Sequence, residues 1–124
     1  MSNSPPFDAL TPALAANRHS AVIYADSEGR IGFWNAGAEV LFGHSAADVA
    51  GQRVDLVVPG EHRDKHWAGF GRAIGSPWRG SEGWGPVEAV RKDGRRVELE
   101  VFLTPVQERD EIAVGVLAIF RPPR

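Results

Sequence analysis

The chain has 124 residues, which is enough for one domain with one core and too few for two. An apolar content of 43% and a charged content of 24% are typical of a soluble globular domain. The net charge of −2 argues against nucleic acid or an anionic membrane surface as a partner. The sequence has no cysteine, which excludes disulfides, thiolate metal sites and cysteine nucleophiles and fits a reducing cytoplasm. No apolar run approaches the roughly 20 residues of a membrane span, and no signal peptide is evident.

The N-terminal segment predicts a tail and one flanking helix, which we assign to residues 1–20. Met1–Pro6 is polar and rich in proline, as frayed termini are. Phe7–Arg18 places Leu10 and Leu14 on one side, with Thr11-Pro12 as a candidate helix start. The apolar side of this amphipathic helix would either cap the domain or pair with a second copy of the chain.

The next segment predicts a hairpin followed by short helices. Ala21–Ala25 and Ile31–Asn35 are rich in strand-forming residues, and Gly29 between them suits the positive φ of a turn. Ala36–Gly43 predicts a helix that ends at its glycine. Ser45 starts a capping-box pattern and therefore a further short helix.

A central helix is predicted to begin just after Gly60. His66, Phe70 and Ile74 recur every four residues and would share one face of that helix. A histidine on such an apolar face is either a buried core residue or a ligand to something inside the domain. Three charged residues of the same helix are predicted to face water: Asp64, Lys65 and Arg72.

A loop rich in Gly, Ser and Pro follows from Gly75 to Gly85 and carries three side chains of interest: Trp78, Arg79 and Trp84. Three strands are predicted to complete the chain: Val87–Arg91, Arg95–Val106 and Ile112–Phe120. Asp93-Gly94 is typical of a hairpin turn, and Gln107–Glu111 predicts a charged turn. The longest strand alternates in character, as expected when only one face is buried; its apolar positions are Val97, Leu99, Val101 and Leu103.

Helices grouped between antiparallel strands define an α+β domain, which we assign to residues 21–121. The predicted architecture is a five-stranded antiparallel sheet with short helices over one face and the N-terminal amphipathic helix outside. A pocket between the two layers is a usual place for a small molecule.

Three segments resemble the PAS domain family. Trp34–Gly43 is similar to the family segment "W-N-x-x-A-E-x-L-F-G", Arg91–Gly94 matches its "R-K-D-G" hairpin, and Gly115–Arg121 resembles its closing strand. The resemblance covers nearly the whole chain. It implies the PAS fold and a sensory or dimerising module that is not an enzyme, in signal transduction, with a downstream signalling domain or protein as a possible partner.

Within that family, the lack of cysteine excludes the photoactive flavin branch and the photoactive yellow protein branch. The spacing of Pro59, Arg63 and His66 resembles the "P-x-x-x-R-x-x-H" lead of the haem-binding branch, typified by oxygen-sensor kinases. That resemblance implies haem b as cofactor, His66 as its iron ligand, and a diatomic gas (oxygen, carbon monoxide or nitric oxide) or redox state as the signal. Neutral imidazole is a common haem ligand.

The same resemblance suggests the rest of a haem site. Phe70 would lie beside the ligand, and Trp67 would either stack on the porphyrin edge or cover the core. Trp84 falls near the position of the distal arginine of those kinases, which leaves Trp84 or Arg79 as the polar group near the gas. An apolar distal wall would come from the last two strands: Leu99, Val101, Leu103, Val116 and Ala118.

Two other interpretations stay open. In the first, the domain has no ligand and is an interaction module that pairs through Phe102 on the outer sheet face and through the N-terminal helix. In the second, the domain binds another small molecule such as a flavin. We expect a homodimer that pairs through Phe102 and the apolar side of the N-terminal helix. A helix that instead capped the sheet would bury the same residues. His62 is expected to be solvated, and a His62–His66 surface metal pair lacks an evident third ligand.

Overall fold

The structure of the protein, a computed structural model, describes residues 7–75, 77–107 and 113–123, with side chains from residue 9 onwards. Its four α-helices are α1 (Phe7–Ala16), α2 (Ala36–Phe42), α3 (Ala46–Val49) and α4 (Arg63–Ala73). Its five strands are β1 (Ala21–Asp26), β2 (Ile31–Trp34), β3 (Gly85–Val90), β4 (Arg96–Gln107) and β5 (Ala113–Arg121). Short 3₁₀ turns at Val54–Val57 and Gly60–His62 lead into α4.

The strands form one antiparallel sheet in the order β2-β1-β5-β4-β3. β5, predicted from its apolar sequence to be central, lies in the middle of the sheet. The α+β fold and the five-stranded antiparallel sheet predicted from the sequence are therefore confirmed. No helix in the described part of the chain is long and apolar enough to cross a membrane.

Local capping explains how the short helices form where the sequence predicts them. The side chain of Asn35 accepts a hydrogen bond from the backbone N–H of Ala38 and begins α2. Gly43 ends α2 with a φ of 84°, a conformation that costs a glycine nothing. Ser45 accepts from the N–H of Asp48 at 3.2 Å and begins α3, as the capping-box pattern indicates.

The pleat of the sheet separates an inner face from an outer face. Leu103 and Ala118 are paired across β4 and β5 on the inner face, whereas Phe102 and Ile119 are paired on the outer face. Helices α2, α3 and α4 lie over the inner face. The core fills one end of this layer, where the ring of Phe42 lies 5.5 Å from Trp34 and 5.2 Å from Phe120.

Several predicted boundaries were wrong. α1 begins at Phe7 and runs through Pro12, and does not begin at Thr11-Pro12. α4 begins at Arg63, because the three residues before it form a 3₁₀ turn, and Ile74 is already extended. β3 begins at Gly85, earlier than predicted, and β5 extends to Arg121. The predicted tail at residues 1–6 and most of the predicted turn at 107–111 lie outside the described residues.

Candidate functional site

A cavity of about 850 Å³ lies between the inner face of the sheet and α4. This volume is in the range of small-molecule and cofactor sites, roughly 300–1,000 Å³. The sheet supplies a continuous apolar floor, and the 3₁₀ turn at Val54–Val57 closes one side. The apolar residues of the floor and this side include Ile23, Ala25, Val54, Val57, Val87, Ala89, Val101, Leu103, Val116, Ala118 and Phe120.

The roof of the cavity is α4, which is attached at both edges of the sheet. On the β2 side, the indole N–H of Trp67 donates to Asp55 Oδ2 at 3.0 Å. On the β3 side, Arg96 on β4 donates to Glu61 Oε1 at 2.8 Å just before α4 begins. These attachments hold the first turns of the helix over the sheet.

His66 projects from the roof and lines the cavity. Its Nδ1 atom is buried and has no hydrogen-bond partner among the described residues. Burial lowers the pKa of His66 below its ordinary value, and the nearby Asp55 carboxylate opposes this shift. The imidazole is therefore mainly neutral at pH 7, the form in which a histidine binds iron.

Most of the residues predicted to surround His66 are in the cavity wall. Phe70 lies on the next turn of α4 with its ring centroid 6.2 Å from that of His66. The predicted wall residues on the last two strands also line the cavity: Val101, Leu103, Val116 and Ala118. Leu99 has the same parity but does not line the cavity; it packs within the core at the end of the layer.

Trp67 and Trp84, both predicted at the cofactor, lie elsewhere. Trp67 points to the β1–β2 turn and not into the cavity, and it is not among the residues that pack against the core. Trp84 lies on the outer face of the sheet, where it contacts Phe102 at 5.8 Å and where the guanidinium carbon of Arg121 lies 3.8 Å from its ring centroid. A sheet separates Trp84 from the cavity, so it cannot be the distal polar group.

Trp78 lines the cavity, although from the sequence it was noted only as a loop side chain and given no role. It lies on the loop between α4 and β3, and its carbonyl accepts from Gln107 Nε2 at 3.4 Å. Arg79, the other predicted polar group, is exposed and lines a separate surface pocket with Thr104 and Gln107. A tryptophan in a loop that returns to a sheet was the available signal, but loop sequence alone does not fix which face such a residue reaches.

Charged side chains stand at the edge of the cavity. Lys65 and Arg72 are exposed, as predicted, yet both also line the cavity.

His62 Nε2 lies 3.7 Å from Glu88 Oε1 on β3. The ligand atoms of Glu61, His62 and Glu88 lie within 4.8 Å of one another, but Arg96 already binds both carboxylates. This cluster is therefore an ion-pair network at the sheet edge and does not include His66.

The sequence matches the family model for the PAS fold over residues 10–123, which is nearly the whole chain. With the sheet order, the short helices and the cavity already described, this match shows that the chain belongs to the PAS domain family.

Solved structures of the same fold agree. The PAS domain of a protein from Colwellia psychrerythraea is 27% identical, with a TM-score of 0.73, and the match covers 96% of this chain and 98% of that chain. An RNA-binding Light-Oxygen-Voltage receptor is 18% identical with a TM-score of 0.73, over 98% of this chain and 35% of the receptor. The Rhodobacter sphaeroides LOV protein is 15% identical with a TM-score of 0.70, over 87% of this chain and 61% of that chain. At such identities the two LOV matches show the fold alone.

Proposed function

We propose that this PAS domain is a sensory module that holds haem b in the cavity between sheet and α4, with His66 as the iron ligand. The observation that carries the proposal is the buried, unpartnered Nδ1 atom of His66 in a cavity of about 850 Å³ whose floor is apolar. A buried polar atom without a partner is uncommon and needs an explanation, and binding of a metal ion is one such explanation.

The chemistry of the lining also fits haem. A porphyrin presents two apolar faces and carries its carboxylates on one edge. The floor residues on β4 and β5 suit the apolar faces, while Lys65 and Arg72 place positive charge at the exposed edge. We also propose that the ring nitrogen of His66 that does not bind iron is held by a hydrogen bond, which would fix the tautomer.

When bound, ferrous haem supplies reversible coordination of a diatomic gas. The chain's own residues would then exclude water and relay the change. Val101, Leu103 and Ala118 form a dry wall, and the same two strands carry Phe102 and Ile119 on the outer face. A ligand that favours one of two sheet arrangements shifts their equilibrium, and no catalysis is involved.

A flavin is the second candidate. Similar solved structures include LOV proteins, and one of them, at 16% identity, is described as using a flavin analogue to shed light on the mechanism of the Light-Oxygen-Voltage domain. These comparisons favour a flavin over haem. The lining favours haem, because the described residues around the cavity include no Asn, Gln, Ser or Thr to pair with the polar edge of an isoalloxazine ring. Photochemistry through a cysteinyl adduct would also need a residue that the chain lacks.

The absorption spectrum of the purified protein separates these candidates. The protein is incubated with equimolar hemin or with flavin mononucleotide, passed through a desalting column, and scanned. We expect a Soret band to remain with the protein after hemin treatment and no flavin absorption after the parallel treatment. Retained flavin and no retained haem would replace the first candidate by the second. Retention of neither would favour an interaction module without a ligand.

Two further elements belong to this proposal. We place the module in the cytoplasm, and we expect it to pair as a homodimer and to act on a downstream signalling domain or protein. The dimer would use α1, on which Leu10 and Leu14 are 49% and 43% exposed, and the outer face around Phe102. Light scattering at high micromolar concentration should give twice the monomer mass, and Leu10→Lys with Leu14→Lys should reduce it. A monomer mass for the unsubstituted chain would contradict the dimer.

A further inference from the structure

Asn35 is a buried side-chain amide, 1% exposed, that joins three parts of the molecule. Its Oδ1 accepts hydrogen bonds from the backbone N–H of Val22 on β1 at 2.8 Å and of Ala38 on α2 at 2.9 Å. Its Nδ2 donates to the carbonyl of Leu14 in α1 and to those of Asn17 and Ser20 in the following linker, at 3.2, 3.1 and 2.9 Å. One side chain therefore connects the N-terminal helix, a strand of the sheet and the start of α2.

The donors and acceptors of this amide do not match in number. A primary amide has two N–H hydrogens, whereas Asn35 Nδ2 faces three carbonyl oxygens. One hydrogen must be shared, so the carbonyl in α1 competes with the two carbonyls of the linker. The bond to Leu14 is the longest of the three and is the one most readily given up.

The same residue is attached to a strand of the cavity. The backbone N–H of Asn35 donates to the carbonyl of Val22 at 3.2 Å, so Val22 is bonded to Asn35 in both directions. Ile23, the next residue of β1, lines the cavity. A shift of β1 when the cavity fills would move Val22 and change which carbonyls Asn35 can reach.

The linker between α1 and β1 is held close to the start of α2. The N–H of Gly37 donates to the carbonyl of Asn17 at 2.8 Å. A Cβ at Gly37 would lie 2.0 Å from the carbonyl oxygen of Ser20. With the linker held this closely, the Leu14 end of α1 is the part free to separate.

We infer that Asn35 is the positioning residue that couples the state of the cavity to α1, by sharing its N–H groups between a docked and a released helix. In the docked state the Leu14 carbonyl is bonded; in the released state the linker carbonyls take both hydrogens and the helix swings away. The coupling needs an occupied cavity but not a particular occupant, so it extends beyond the proposed haem function.

The absence of native cysteine allows a direct test. Cysteines introduced at the exposed positions Ala9 on α1 and Asp93 in the β3–β4 turn take nitroxide labels, and electron–electron double resonance gives the distribution of distances between them. The protein is measured with and without hemin. It is also measured with Ala118→Leu, which fills part of the cavity without any ligand. We expect two distance populations whose ratio changes when the cavity is filled in either way.

Asn35→Asp keeps an oxygen acceptor and removes both N–H donors, and Asn35→Ser keeps the cap of α2 with a side chain too short to reach the linker carbonyls. In either variant that folds, the docked population and its response to cavity filling should be lost. Ser45→Ala, which removes the cap of α3 away from α1, is the matched control and should respond like the unsubstituted protein. A response to Ala118→Leu without hemin uptake would support the coupling and contradict only the haem proposal. The inference would be overturned if the ratio of the two distance populations did not change when the cavity is filled. It would also be overturned if the ratio still changed in both Asn35 variants.

Discussion

The indole ring of Trp67 lies directly against Gly29, where a Cβ atom would be 2.4 Å from the ring. Gly29 has a φ of 78° in the β1–β2 turn, so both its conformation and its missing side chain are needed there. The guanidinium carbon of Arg53 lies 4.3 Å from the centroid of the same indole. One side chain of α4 thus fastens the roof of the cavity to the edge of the sheet.

Trp67→Phe should therefore lower stability and leave cofactor binding unchanged. The variant loses the hydrogen bond to Asp55, which is worth about 1–2 kcal/mol for a charged acceptor in a partly buried site. Urea unfolding followed by circular dichroism measures the loss, and hemin retention is scored in parallel. Trp84→Phe, on the outer face, is the control for exchanging an indole for a phenyl ring. If Trp67→Phe lost hemin but not stability, the indole would be a cofactor contact after all.

His66→Ala should abolish tight haem retention and preserve the fold, because it removes the imidazole that lines the cavity without removing a core residue. His62→Ala is the matched variant: it removes a second histidine of the same helix region, which lies beside Glu88 and not beside Phe70. Its Soret band after desalting should equal that of the unsubstituted protein. The reverse pattern would show that His62, and not His66, is the iron ligand.

Exchanging each loop tryptophan for leucine distinguishes the two faces of the sheet. Trp78→Leu should weaken hemin binding roughly fivefold to thirtyfold, equivalent to about 1–2 kcal/mol of lost apolar contact. Trp84→Leu should leave the affinity unchanged, since the sheet lies between it and the cavity. Titration of each variant with hemin gives the two constants. Equal losses of hemin affinity in both variants would contradict the placement of Trp84 on the outer face of the sheet.

Acid should remove the attachment between Glu61 and Arg96. The hydrogen bond from Arg96 lowers the pKa of Glu61 from 4.5 to about 2. A lowered carboxyl pKa stabilises the fold above pH 4.5 and loses that contribution as the pH falls towards 2. Glu61→Gln should thus be less stable than the parent at pH 6, and the two should converge near pH 2. The difference should shrink in 1 M salt, because both side chains are exposed. Glu98→Gln, which removes an exposed carboxylate on β4, serves as the control. A difference in stability that persisted at pH 2 would contradict the ion-pair origin.

The fold was predictable because its signals are local. Ser45 and Gly43 mark helix ends through their own capping and φ preferences, and alternation along β4 correctly assigns Val101 and Leu103 to one face. His66 and Phe70 were predictable for the same reason, as helix periodicity fixes their common direction.

The positions of the tryptophans depend on tertiary contacts that no local pattern encodes. Trp67 is adjacent to His66 in sequence, yet it turns towards Asp55 because an acceptor and a glycine from distant segments meet there. Trp84 follows the parity of Phe102 only after β3 has paired with β4. Leu99 shares the alternation of Val101, but the helices that bury it lie at one end of the sheet. Family resemblance placed Trp84 by alignment, and alignment across a loop of different length cannot fix a face.

None of the residues of α4 is fully buried. A helix attached by a few edge contacts can separate from a sheet at a free energy below that of global unfolding. The residence time of any molecule beneath α4 would then be set by how often the roof lifts, and not by how stable the sheet is. Amide hydrogen exchange would report this as opening of α4 on a shorter timescale than that of β5. Strengthening the contact between Trp67 and the β1–β2 turn would slow both loading and release while leaving the equilibrium affinity nearly the same.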